Sequence, residues 1–229
     1  SNRSIGFPWR LPWQGLVGLV VLWSLASPHV LFAADCSSAP SGLVAWWPGD
    51  GNANDIAGTN NGALHAGATV AGTGMVGSAF TFDGTTGYVQ IPDSPALRPT
   101  NLTLAAWVMF NGLDSGPSRT APAGDQFIVF KQNSLNYNFE GYSLEKYRTG
   151  NGDVYMFTVS AADGSGVNLF SQTLLSTSVW YHVAAVRGSN FMQLYVNGQL
   201  ENQTNVSLAQ DYGTLPLYFG TSGESYWDG

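Results

Sequence analysis

Leu102-Thr103-Leu104-Ala105-Ala106-Trp107-Val108-Met109-Phe110 is the stretch that decides the fold class. Leu102, Leu104, Ala106, Val108 and Phe110 alternate with Thr103, Ala105, Trp107 and Met109, the two-residue period of a β-strand. If the Leu104 row faces the core, Trp107 stands on the other face of its sheet. Working outward, strand signals recur at short spacing over 43–47, 78–82, 88–91, 127–131, 141–146, 154–159, 180–187, 191–196 and 216–219. Asn197-Gly198 joins 191–196 to 199–204 and is the strongest hairpin signal, because a type I′ turn needs positive φ at both central residues. Segments 111–125 and 133–138, rich in Gly, Pro, Ser and Asn, read as loops. No stretch after residue 34 carries helical periodicity. The prediction is all-β: an antiparallel two-sheet jelly-roll sandwich.

Composition agrees with that pattern. The 229 residues are 44% hydrophobic and 13% aromatic but only 10% charged, with 28 glycines, which excludes a disordered chain or a long coiled coil. Eight basic against fifteen acidic side chains give a formal charge of -7, so the electrostatic footprint of a nucleic-acid binder is absent. Attraction to anionic membrane surfaces is excluded for the same reason.

The first 34 residues differ from the rest. Arg3 and Arg10 precede an uncharged stretch, Leu16 to Ala26, that leads through Pro28 and His29 to Leu31-Phe32-Ala33-Ala34. This reads as a secretory signal peptide over 1–34. The alternative is an uncleaved N-terminal anchor over Gly15 to Ala34, against which Pro28 and His29 argue. Residues 35–41 read as a short linker and 42–229 as the folded domain. Without Arg3 and Arg10 the mature chain after residue 34 carries six basic and fifteen acidic groups, a net charge of -9. Cys36 is the single cysteine, and in a secreted protein its partner is expected outside this sequence.

Several motifs carry apparent chemistry. Gly72-Thr73-Gly74-Met75-Val76-Gly77 fits a dinucleotide-loop pattern, but a strand rather than a helix follows, so nucleotide binding is rejected. Asp50-Gly51-Asn52-Ala53-Asn54-Asp55 begins like an EF-hand loop, yet Asp55 stands where Gly is needed and Asn61 where Glu is needed. A simpler oxygen-ligand Ca²⁺ site stays open beside the reading of plain turn residues. Glu140 and Glu145 are the nearest approach to a glycosidase carboxylate pair, but five residues apart they point to opposite faces of a regular strand. They are expected to be solvated acids at strand ends. His182, alternating with Trp180, Ala184 and Val186, is expected to be a hydrogen-bonded core histidine. Asn101, Asn202 and Asn205 head formal N-glycosylation sequons.

A family resemblance joins these pieces. Gly42-Leu43-Val44-Ala45-Trp46-Trp47-Pro48-Gly49-Asp50-Gly51-Asn52, Gly77 to Gly84 with Tyr88-Val89, Leu104 to Val108, Trp180 to Ala184 and Leu194 to Gly198 together resemble the LamG-like jelly-roll domain of the concanavalin A-like lectins and glucanases. Two departures stand out. Thr86-Gly87 occupies a place where the family usually has acids, and the Ile-Asp-Glu-Val-Arg-Ile strand that usually follows Trp-Asp-Gly does not follow Trp227-Asp228-Gly229. A jelly roll lacking its last strand, part of a longer multidomain protein, is therefore expected.

The resemblance implies carbohydrate contact at a sheet face or rim and a structural Ca²⁺, with Asp50, Asn52 and Asp228 at the matching positions. Aromatic faces stack on sugar rings, and this points to Trp107 and to the loop residues Tyr137, Tyr212 and Tyr226. The expected function is a secreted or cell-surface, non-catalytic module that binds glycans or glycoproteins. A protein-adhesion or spacer domain is the alternative, and a glucanase-type hydrolase ranks third.

Overall fold

The computed structural model describes residues 39–114, 124–135 and 138–223. The chain divides after Ala39, and the architecture is that of Pro40–Gly229. The signal peptide assigned to 1–34, Cys36, Tyr137, Tyr226 and Asp228 lie outside the described residues.

Thirteen strands follow in chain order among the described residues: β1 Ala63–His65, β2 Thr69–Thr73, β3 Ser78–Thr81, β4 Tyr88–Ile91, β5 Leu102–Met109, β6 Gln126–Gln132 and β7 Gly141–Thr149 come first. They continue as β8 Gly152–Ser160, β9 Gly166–Phe170, β10 Trp180–Arg187, β11 Phe191–Val196, β12 Gln199–Asn205 and β13 Leu217–Phe219. The helical content described is one 3-10 turn, Pro95–Leu97. A seven-stranded sheet runs β1-β4-β13-β6-β7-β8-β9, a four-stranded sheet runs β12-β11-β10-β5, and β2 pairs with β3. All strand pairings are antiparallel, so the predicted sandwich is the observed one.

The core lies between the two large sheets. Val183 and Ala185 of β10 and Met192, Leu194 and Val196 of β11 meet Leu144 of β7, Tyr155, Phe157 and Val159 of β8 and Leu217 of β13, all essentially buried. Leu102, Leu104, Ala106 and Val108 turn inward against this cluster, as their alternation predicts. Asn197 and Gly198 have φ of 50° and 78°, the paired positive values that the turn between β11 and β12 requires. The Gly72–Gly77 motif is likewise a hairpin turn: Gly74 N donates to Gly77 O at 3.0 Å and Thr73 faces Ser78.

The expected strand at 43–47 does not form. Asp55, almost fully buried, accepts the Trp46 N–H on Oδ1 at 2.9 Å, and Ile56 N donates to Trp46 O at 2.9 Å. The backbone groups a sheet would have used are thus taken by a loop. Asp55 also accepts from Ala57 N, Gly58 N, Asn60 N and Asn60 Nδ2. Burial pushes its pKa up, but the bonds from Trp46, Asn60 and Ala57 outweigh that and hold the carboxyl below its ordinary value. Strands β1, β2 and β9 gave no advance signal. They are only three to five residues long, and Gly72 interrupts the alternation of β2.

Candidate functional site

The outer face of the four-stranded sheet is built by register. Trp107 of β5 sits opposite His182 of β10, Ala105 opposite Ala184, Thr103 opposite Val186, and Met109 opposite Trp180. Ala184 in turn faces Tyr195 of β11, Val186 faces Gln193, and Gln193 faces Gln203 of β12. Trp107 is 47% exposed and meets the His182 ring edge-on at 5.2 Å. Asn197 fixes His182 from the turn: its Oδ1 accepts the His182 N–H at 2.9 Å and its own N–H donates to His182 O at 2.7 Å. A polar row runs beside these rings, with Tyr195 Oη donating to Gln193 Oε1 at 3.0 Å and Gln193 Nε2 donating to Gln203 Oε1 at 3.2 Å. Aromatic faces next to pre-ordered amides can stack on a ring and satisfy hydroxyls at its rim.

Trp107 therefore stands where the sequence placed it. Tyr212 does not: its ring packs on the core and meets Tyr142 edge-on at 5.9 Å, and its hydroxyl donates to Pro99 O. It is a core-sealing tyrosine, set there by the value of burying its ring with its hydroxyl satisfied. His182 is also corrected, since Tyr181, Val183 and Ala185 take the inward positions and His182 faces out. The alternation Trp180-His182-Ala184-Val186 was visible in the sequence, but it cannot by itself say which row is the buried one. Reading it the other way adds Trp180, His182, Tyr195, Gln193 and Gln203 to the face.

The outer face of the seven-stranded sheet is aromatic too, but closed. His65 stacks on Tyr88 at 4.6 Å, Tyr88 meets Tyr218 at 6.0 Å, Phe127 meets Phe130 at 5.3 Å and Tyr147 meets Phe170 at 5.5 Å. Phe130 is 3% exposed, and Glu145, opposite Phe127 and Met156 in register, is 5% exposed. Glu145 and Glu140 are thus buried rather than solvated; Glu145 lies on an interior strand, flanked by Phe127 and Met156 of the strands on either side. Burial first and the nearby charge of Asp125 second push the Glu145 carboxyl up to about 8, so it is mostly protonated at neutral pH. Glu140, just before β7, accepts from Asn133 Nδ2 at 2.6 Å.

The Lys and Arg side chains among the described residues are committed elsewhere. Arg98 and Lys131 pair with Asp93 at 3.4 and 2.8 Å, Lys146 pairs with Asp153 at 2.6 Å, and Arg148 pairs with Asp114 and Asp153 at 2.6 and 3.1 Å. Arg187 is 4% exposed and faces inward, donating from Nη2 to Leu208 O at 3.1 Å. For calcium, Asp50 Oδ1 accepts the Ser78 N–H at 2.7 Å and Asn52 Oδ1 accepts the Asn54 N–H at 2.8 Å, both on exposed loop residues. Among the described residues no group of three or more His, Cys, Asp or Glu gathers. Asp50 and Asn52 by themselves fall short of the ligand number Ca²⁺ takes, and Asp228, the third expected ligand, lies outside the described residues.

A family model described as the concanavalin A-like lectin/glucanases superfamily, laminin G type 3, matches residues 83–229. The chain belongs to this family. Its laminin G type 3 fold is similar to domain 4 of AbnA, a GH43 extracellular arabinanase of Geobacillus stearothermophilus solved with arabinotriose, at 14% identity and a TM-score of 0.53, covering 78% of this chain and 82% of that one. It is also similar to the receptor binding domain of botulinum neurotoxin C/D mosaic serotype, at 15% identity and a TM-score of 0.53, covering 75% of this chain and 41% of that one. At such identities these likenesses establish the fold. No curated protein matches the sequence. No helix among the described residues is long and apolar enough to cross a membrane.

Proposed function

We propose that this is a secreted or cell-surface, non-catalytic carbohydrate-binding module, one domain of a longer protein, that holds glycans or glycoproteins on the outer face of its four-stranded sheet. The observation that carries the reading is exposed Trp107 against half-buried His182, on the same face as the ordered Tyr195–Gln193–Gln203 row. A ring lying on exposed indole is the common physical means of holding a sugar, and amides and hydroxyls then set its orientation. Membership of a lectin and glucanase superfamily supports it, as does the fold likeness to an arabinanase domain solved with a trisaccharide. The leader-like segment at 1–34 supports export. Calcium, held by Asp50, Asn52 and Asp228, belongs to the same reading as a structural ion.

The burial of Glu145 supports the non-catalytic reading. A hydrolase of the two-carboxylate type needs its acid within reach of a glycosidic oxygen, and this carboxyl is closed over. A glycan array probed with the protein tests the reading: binding that Trp107→Ala removes while the thermal melt is kept supports it. Loss of no binding in that variant would move the site elsewhere. Release of reducing sugar from any bound polysaccharide, lost in Glu145→Gln, would make the protein an enzyme.

A further inference from the structure

We propose that the ligand is an uncharged, extended glycan chain lying in a shallow trough floored by Ala105 and Ala184. The inference rests on the carbohydrate reading above and deepens it by naming the class of glycan. Two arguments carry it, one from shape and one from charge.

Ala105 and Ala184 are direct partners across β5 and β10. One step along the strands, the Trp107–His182 pair rises on one side and the Thr103–Val186 pair on the other. Same-face residues on a strand are about 6.6 Å apart, so the two walls stand about 13 Å from each other over a floor of two methyl groups. Tyr195 is next in the floor row, opposite Ala184, and its hydroxyl is already tied to Gln193. The depression therefore runs across the strands from the β5 edge to Tyr195, with indole along one side and the Val186–Gln193–Gln203 row along the other. A closed pocket would select a terminal sugar, whereas an open trough admits the middle of a chain.

The charge argument is independent of shape. The outward rows of this sheet contain no Lys, Arg, Asp or Glu. Glu201 of β12 is directed to the Gln172 and Thr173 backbone instead, accepting their N–H groups at 2.8 and 2.9 Å. Among the described residues every Lys and Arg is either paired with an aspartate or, for Arg187, buried. Fifteen acids against six basic groups after residue 34 give the chain a net negative charge. A sulfated, sialylated or uronic acid chain would meet net negative charge with no free cation among the described residues to offset it. A neutral chain needs only stacking and the hydroxyl partners that Tyr195, Gln193 and Gln203 present.

The test is affinity electrophoresis of the protein through gels holding arabinan, xyloglucan or mixed-linkage β-glucan, beside gels holding heparin, hyaluronan or polygalacturonate. Retardation in at least one neutral gel and in none of the polyanion gels is expected. Ala184→Ile and Ala105→Ile, which fill the floor with a residue strands favour, should weaken that retardation by at least about tenfold at an unchanged melting temperature. Retardation by a polyanion that depends on Trp107 and fades with salt would keep the carbohydrate reading and overturn the neutral-chain inference. Full affinity in both isoleucine variants, with Trp107→Ala inactive, would overturn the trough. No retardation by any of the six polysaccharides would overturn the carbohydrate reading itself, and the inference with it.

Discussion

The outer face of the seven-stranded sheet carries Phe127, Phe130, Tyr147, Phe170 and Tyr218 around a buried carboxyl, whereas that of the four-stranded sheet carries Trp107, Trp180, His182 and Tyr195 with no charged group. Both are aromatic, and an aromatic count alone would rank the first as the better sugar platform. Burial reverses the ranking: Phe130 and Tyr218 are 3% and 4% exposed, while Trp107 is 47% exposed. A closed face spends its rings on stability, and an open one keeps them for a partner.

The largest expected effect that separates the two faces is on stability. Phe130→Ala should cost about 3 kcal/mol, read as a lower denaturant midpoint, while Trp107→Ala should leave the midpoint nearly unchanged. The reverse order would exchange the roles of the faces. Next comes binding, where Trp107→Ala should lose at least about tenfold in affinity and Phe130→Leu, which keeps an apolar side chain, should lose none. Isothermal titration against the retained polysaccharide measures both.

A pH series sharpens the contrast further. The folded-state pKa of Glu145 is raised to about 8 from 4.5, so the fold favours the neutral acid. Its stabilising contribution is complete below pH 4.5 and is lost as pH rises through 8. Glu145→Gln should therefore raise the melting temperature most near and above pH 8 and flatten the decline between those limits. An identical pH slope in the variant would mean that the carboxyl is solvated. The smallest expected effect is a modest rise in melting temperature with millimolar Ca²⁺, removed by Asp228→Ala. A melt indifferent to Ca²⁺ would leave Asp50 and Asn52 as turn residues only.

Much of this was legible in the sequence for a physical reason. Leu102–Met109 and Trp180–Arg187 are long strands whose alternation is enforced by a core on one side, so their period survives in the residues. Trp107 followed directly from that period. His182 and Tyr212 did not, because alternation gives two rows without saying which is inside, and a tyrosine in a loop can turn its ring either way. Glu145 was misread as solvated because its burial comes from the position of β7 within a sheet whose order, β1-β4-β13-β6-β7-β8-β9, no local pattern contains. Trp46 was misread as strand because the carboxylate that captures its N–H lies nine residues on.

The place of β13 has a consequence for biosynthesis. Leu217–Phe219 slots between β4 and β6, whose own residues are synthesised far earlier. The β10–β11–β12 meander can form from neighbours as soon as it emerges from the ribosome, but the large sheet stays split in two until those three residues arrive. Throughout that interval the nascent chain shows two raw strand edges beside Val89, Ile91 and Val129, a state that invites chaperone capture or aggregation. Any chain released before Leu217 keeps those edges permanently.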